Sequence, residues 1–275
     1  MTDYLNYIFK DSSDFVSTYD ELPLWSAPFG LLLLDNIELK PNLNILDIGC
    51  GTGFPLLELA QRFGSTCKVT GIDPWTNAIE RVEQKIKSYN ITNATIIKGS
   101  AESMPFENES FDLIVSNLGI NNIPDKDAAF KECYRVLKPK GKLSLTTNLY
   151  GHWKEFYKIF YDTLSQSNRE LLNKLQSHEL HRGTIESVTN LFTRNKFSIT
   201  KHKEATFSIR FLNGTTFLNH YFIKMGFMDA WKEIILNENR IEFFNQLETN
   251  LNKHSEKNGE LKLTVPILYI EGMKD

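Results

Sequence analysis

The sequence predicts an α/β fold built on an open, doubly wound sheet, and three features carry that prediction. The first is a strand, a glycine turn and a helix start run together in Asn44-Ile45-Leu46-Asp47-Ile48-Gly49-Cys50-Gly51-Thr52-Gly53-Phe54. The second is another apolar run, ending at Ile72, that delivers an acidic residue, Asp73, 20 positions past Gly53. The third is a regular alternation of short apolar runs with amphipathic segments as far as residue 149. Strands alternating with helices imply a mostly parallel sheet covered on both faces. Ligands of such sheets bind beyond the carboxyl ends of the strands.

Residues 1–40 come before the first strand and read as an N-terminal cover. Tyr4, Tyr7, Ile8, Phe15 and Tyr19 allow one or two short helices, and the prolines of Glu21–Gly30 limit helix to short pieces. Phe29 to Leu39 is apolar enough for a helix against the sheet, ended by Pro41. The core, 41–149, starts with the buried strand Ile45–Ile48 and the amphipathic segment Phe54–Phe63. Lys68–Ile72 is the second strand, followed by a helix over 77–89 and a third strand over 94–98. Phe111–Ser116 is the fourth, a helix spans 128–137, and Leu143–Thr147 is the fifth.

The glycine spacing is not that of a dinucleotide turn. G-x-G-x-x-G would put its third glycine or alanine at Phe54. The pattern is Asp47-x-Gly49-x-Gly51-x-Gly53, with a carboxylate at the strand tip that suits a cationic ligand and would repel a pyrophosphate. Glycine suits the turn because a Cβ would block a ligand's approach or forbid positive φ. Asp73 stands where such folds place an acceptor for ribose hydroxyls, although an Asp there is also a common helix N-cap.

On these residues the chain resembles the class I S-adenosylmethionine-dependent methyltransferases, most closely the branch of quinone-biosynthesis and small-molecule enzymes. Arg135-Val136-Leu137-Lys138-Pro139-Lys140-Gly141 is similar to a structural segment of that family, with Lys140 in place of its first glycine. The resemblance implies a Rossmann-like sheet of seven strands, mostly parallel with strand 7 antiparallel. Strands six and seven fall at 197–211 and 261–271, with lid insertions at 150–180 and 212–258 in a single domain. It implies S-adenosyl-L-methionine as cofactor, S-adenosyl-L-homocysteine as product and no metal. The expected cofactor residues are Asp47, Gly49, Cys50, Gly51, Gly53, Asp73, Pro74 and Tyr19. Ser100, Ala101 and Glu102 join them at the adenine end, with Ser100 where the family commonly has Asp. Asn117 and Leu118 complete the set beside the transferable methyl, without the prolines of enzymes that methylate planar amino nitrogens.

The acceptor is expected to be a small molecule, methylated at carbon or oxygen. Trp25, Asn121, Asn122, Trp153, Tyr157, Tyr221 and Phe222 are its candidate lining, the aromatics folding as a lid unless they are simply core. His152, following strand five, is the candidate base. His178-Glu179-Leu180-His181 is not His-Glu-x-x-His, and three scattered cysteines give neither a disulfide framework nor a metal signature.

Thirty-one Lys and Arg against 34 Asp and Glu leave a net charge of −3, which gives no generic attraction to nucleic acid or an anionic membrane. That counts against a methyltransferase acting on a macromolecule. A catalytically silent cofactor-binding module is the other alternative. Lacking a secretory signal or a bilayer-length apolar run, the chain is expected to be cytoplasmic, with a homodimer left open.

Overall fold

The protein is described here by a computed structural model covering residues 3–20, 24–164 and 169–275. A 3-10 turn at Asp3–Asn6 precedes α1 (Ser13–Tyr19) and α2 (Ala27–Leu34). The alternating core follows as β1 (Asn44–Ile48), α3 (Leu56–Phe63), β2 (Lys68–Asp73), α4 (Thr76–Ser88), β3 (Ala94–Lys98), β4 (Phe111–Asn117), α5 (Lys126–Val136) and β5 (Leu137–Asn148). Beyond it come α6 (Lys154–Leu164), α7 (Arg169–Leu180), α8 (Ile185–Arg194) and β6 (Phe197–Phe211). Then α9 (Gly214–Asn219), α10 (Tyr221–Gly226), α11 (Met228–Ile234) and α12 (Arg240–Asn258) lead to β7 (Leu261–Lys274).

Among the described residues the strands form one seven-stranded sheet in the order β3-β2-β1-β4-β5-β7-β6. β1 pairs in parallel with β2 and β4, and β7 lies antiparallel to β5. The chain order therefore reverses at the seam between β1 and β4, where an open sheet leaves a crevice at its carboxyl edge. β1 and β4 are buried along nearly their whole length, as strands covered on both faces must be. This is the mostly parallel sheet with an antiparallel seventh strand that the sequence implies.

Element ends differ from expectation where local chemistry intervenes. α2 stops at Leu34 rather than Leu39, and the Asn36 side-chain amide donates to the Leu32 carbonyl at 2.7 Å. α3 begins at Leu56, two residues late, because Pro55 occupies its N-cap. β5 starts at Leu137 instead of Leu143, directly where α5 ends. Within it Lys140 has φ +64, a left-handed conformation that glycine adopts most easily, so its place in a segment where related chains carry glycine has a backbone cause.

The chain divides into two compact units, each assembled from separated segments. One comprises Asp11–Asn148, Thr184–Ala205 and Ile267–Asp275, which hold the sheet's parallel strands. The other, largely helical, comprises Met1–Lys10, Leu149–Gly183 and Thr206–Pro266. Its core is aromatic: Phe156 stacks obliquely on Trp231 at 4.4 Å between centroids and meets Phe217 at 5.2 Å and Phe160 at 5.7 Å. The Tyr4 hydroxyl donates to Glu248 at 3.0 Å and so ties the first residues of the unit to α12. No helix among the described residues is long and apolar enough to cross a membrane.

Phe156 has no exposed surface. Phe156→Ala is expected to destabilise the helical unit by about 3–5 kcal/mol through lost burial and a residual cavity. A lower denaturation midpoint followed by tryptophan fluorescence checks this.

Candidate active site

The turn after β1 is built by backbone approach. Gly49 has φ +68, and a Cβ added there would lie 2.8 Å from the Gly119 Cα, so only glycine lets the turn close on the segment after β4. Gly51 has φ +50, and no heavy atom of the described residues lies within 4 Å of where its Cβ would stand. That face of the turn is open. The Gly51 amide donates to Asp73 Oδ2 at 2.8 Å and the Trp75 amide to Asp73 Oδ1 at 2.9 Å. Asp73 thus holds the Trp75 amide just ahead of α4, whose N-cap is Trp75 itself, and braces the glycine turn at once.

Asp47 is fully buried, and neither carboxylate oxygen makes a hydrogen bond to any described residue. Burial pushes its carboxyl well above the usual range, and the charge of Asp73 pushes it further. The Leu56 amide, near the start of α3, acts in the opposite direction without reaching hydrogen-bond geometry. An isolated carboxylate in such surroundings is costly, and a positive charge is what relieves it. Cys50 is buried beside it, its thiol held well above the ordinary range by burial and then by Asp47 and Asp73.

Around the sheet's carboxyl edge the other expected residues take definite partners. Tyr19 packs edge-on against Trp75 at 5.6 Å between ring centroids, while Pro74 is exposed. Ser100 donates to Glu102 Oε2 at 2.9 Å, and Glu102 Oε1 accepts from the Asp125 amide at 2.8 Å, so Glu102 braces the loop; Ala101 between them is buried. Asn117 Oδ1 accepts from the Thr146 hydroxyl at 2.8 Å. Leu118 is held at φ +64, its amide bonded to the Thr146 carbonyl at 3.1 Å, which is local strain of the kind that gathers at functional sites. Asn121 accepts from Thr147 at 2.6 Å and donates to Asn148 at 2.9 Å; Asn122, next to it, is exposed. Trp25 is half-buried and packs on Phe29 at 5.5 Å.

The remaining candidates belong to the helical unit. Trp153 and Tyr157 are fully buried in its aromatic core, and the Tyr157 hydroxyl meets His178 Nε2 at 3.0 Å. His152 is buried and stacks on Trp153 at 4.4 Å. Burial, then the charges of Arg182 and His178, hold its ring well below the ordinary histidine range, so it is neutral near pH 7. Tyr221 shares a hydroxyl contact of 3.4 Å with Tyr7, and Phe222 meets Phe227 edge-on at 5.4 Å. These five aromatics pack with one another and with their own unit, while the glycine turn and the two aspartates belong to the sheet-bearing unit.

Sequence reasoning missed Thr146, Thr147 and Asn148, which lock Asn117 at the end of β4 and Asn121 beyond it. A run of polar residues closing the buried end of β5 is the signal that marks them.

Comparisons with known proteins agree with this geometry. The sequence profile of a family described as a methyltransferase domain matches residues 39–196. A demethylmenaquinone methyltransferase of Listeria welshimeri is 32% identical over 129 residues, 46% of this chain and 54% of that protein. One of Staphylococcus aureus is 29% identical over 175 residues, 60% of this chain and 72% of the other. The matched part spans about half the length of the first of these relatives. Among solved structures, the YcgJ protein from Bacillus subtilis superposes with a TM-score of 0.61 at 17% identity, covering 90% of this chain and 98% of its own. A SAM-dependent methyltransferase from Aquifex aeolicus gives 0.58 at 13% identity, covering 97% and 100%. The chain belongs to the methyltransferase domain family, and it shares the fold of the S-adenosylmethionine-dependent enzyme from Aquifex aeolicus.

The residues present fit that cofactor. An orphaned buried carboxylate matches its cationic end, and the open face of Gly51 leaves the backbone approachable. Asp47→Asn is expected to remove affinity for the cofactor while stabilising the free protein at neutral pH. The sign follows from the raised carboxyl. A folded value above the unfolded one means that ionising Asp47 costs stability as pH rises past the usual carboxylate range, and that cost disappears with the charge. Thermal melts of both proteins at pH 5 and pH 8, with calorimetry of cofactor binding, test the pair of effects.

Proposed function

We propose that this chain transfers a methyl group from S-adenosyl-L-methionine to a small-molecule acceptor at carbon or oxygen, releasing S-adenosyl-L-homocysteine. The observation that carries the reading is Asp47: a buried carboxylate without a hydrogen bond to any described residue, at the tip of β1 beside an approachable glycine turn. When bound, the cofactor supplies a methyl group on a positively charged sulfur, an electrophile with a good leaving group. Asp47 would meet the positive end. Asp73 would accept from the ribose hydroxyls through lone pairs that its two amide bonds leave over. Gly49, Cys50, Gly51 and Gly53 would offer backbone, Tyr19 and Pro74 a wall, and Ser100 and Ala101 the contacts at the adenine end, steadied by Glu102.

Because the leaving group is good, the protein's main tasks are to align the acceptor and exclude water. Asn117 and Leu118, pinned by Thr146, and Asn121, pinned by Thr147 and Asn148, form a neutral hydrogen-bonding rim that would orient an acceptor without adding charge. A hydroxylated aromatic ring of the quinol kind suits such a rim, and the names of the relatives support that class. Asn122 and Trp25 are further candidates on the same unit.

Calorimetry with S-adenosylmethionine, S-adenosylhomocysteine and NAD tests the cofactor reading. Binding of the first two and not the third is expected, and tight NAD binding alone would overturn it. Asp73→Ala should weaken S-adenosylhomocysteine roughly ten- to a hundred-fold, since charge-assisted hydrogen bonds are worth about 1.5–3 kcal/mol. Turnover of a panel of quinols with labelled cofactor then tests the acceptor class.

A further inference from the structure

Helix α1 is fastened along α4 at both ends by aspartates. Before its first turn, Asp11 Oδ1 accepts from the Trp75 indole N–H and the Asn77 amide, each at 2.8 Å. After its last turn, the Asp20 carboxylate receives Arg81 Nε at 2.6 Å and Lys85 Nζ at 2.5 Å, with its own side chain only 6% exposed. Lys85 does more than pair with Asp20. Its ammonium also donates to the Thr52 carbonyl at 2.7 Å, and Thr52 stands between Gly51 and Gly53 in the glycine turn. One buried carboxylate therefore connects α1, α4 and that turn through a single lysine.

Burial would raise the Asp20 carboxyl, but hydrogen bonds from Lys85, Arg81 and the Thr52 hydroxyl more than offset it and hold the group below the usual range. It is charged at neutral pH. Tyr19, one residue earlier, feels the same neighbourhood: burial, then the charges of Asp73 and Asp20, push its hydroxyl upward. The aromatic face of α1 runs from Phe15, 6.2 Å from the Trp75 ring, to Tyr19 at 5.6 Å.

A seven-residue helix is too short to persist by itself. In α1 only Phe15 and Val16 are buried, and Ser13, Asp14, Ser17 and Thr18 are exposed. Its docking therefore combines a small apolar face with the polar fastenings at its ends. A buried ion pair is a poor way to add stability compared with apolar packing, but it is a fastening that water can release.

We propose that Asp20 and Lys85 are positioning residues for the cofactor. Their ion pair latches α1, and Tyr19 with it, to the glycine turn, and it sets how quickly a bound cofactor leaves. This rests on the assignment of Asp47, the glycine turn and Asp73 as the S-adenosylmethionine site. Neither residue touches the reacting atoms.

The test uses the full chain and S-adenosylhomocysteine, with Asp20→Asn, Lys85→Met and the double variant, by stopped-flow binding and hydrogen exchange. Asp20→Asn is expected to speed release about ten-fold, the loss of roughly one charge-assisted hydrogen bond, with little change in the association rate constant. The α1 amides should exchange faster in the free protein, and the double variant should release no faster than Lys85→Met alone. If α1 exchange rises in both single variants while release stays at the wild-type rate, α1 is only a structural strap and the latch is wrong. If the double variant is fully additive, Asp20 and Lys85 do not act through one another and the latch is equally wrong. Failure of the wild-type chain to bind S-adenosylhomocysteine would instead remove the cofactor assignment, and the latch with it, before any substitution is made.

Discussion

The structure turns on one electrostatic debt, the buried Asp47 carboxylate at the tip of β1. None of the described residues hydrogen-bonds it, and its neighbour Asp73 carries the same sign. Asp73 is tolerable because two backbone amides hold it. Asp47 has no such support among the described residues, so its surroundings suit a cation. The close approach of Gly49 to Gly119 and the bracing of Gly51 by Asp73 make sense as the rigid frame that keeps this charge aimed and dry.

The strands and helices of the sheet-bearing unit were legible because they obey local rules. Apolar runs end at glycine or acidic residues, amphipathic segments follow, and spacing alone places Asp47, Gly51 and Asp73 at the carboxyl edge. The parts that escaped depend on contacts between residues far apart in sequence. Glu102 reads equally well as an adenine ligand or a loop brace, and the Asp125 amide, 23 residues away, engages it as a brace. Nothing in the sequence around Trp153 and Tyr157 indicated that Phe156 would pack on Phe217 and Trp231. Lys140 shows the reverse case: standing where a similar pattern has glycine, it holds a left-handed backbone itself.

The rim after β4 and β5 illustrates how rigidity is obtained without charge. Asn117, Asn121 and Asn148 are amides that would each lose freedom on meeting a ligand, but Thr146, Thr147 and one another already hold them. Pre-ordering of this sort lowers the entropy lost on binding. Leu118 shares in it, since a β4 end fixed by Thr146 can retain a strained residue that an unpinned loop would relax.

The discontinuity of the helical unit bears on how the chain matures during synthesis. Its first segment ends at Lys10 and its last at Pro266, and the bond from Tyr4 to Glu248 joins residues 244 positions apart. The strands from β1 to β5, in contrast, lie on one unbroken stretch. A ribosome delivering the chain from its amino end presents a complete parallel core long before α12 exists. Tyr4 reaches its burial site only after Glu248, 244 positions later, has been made.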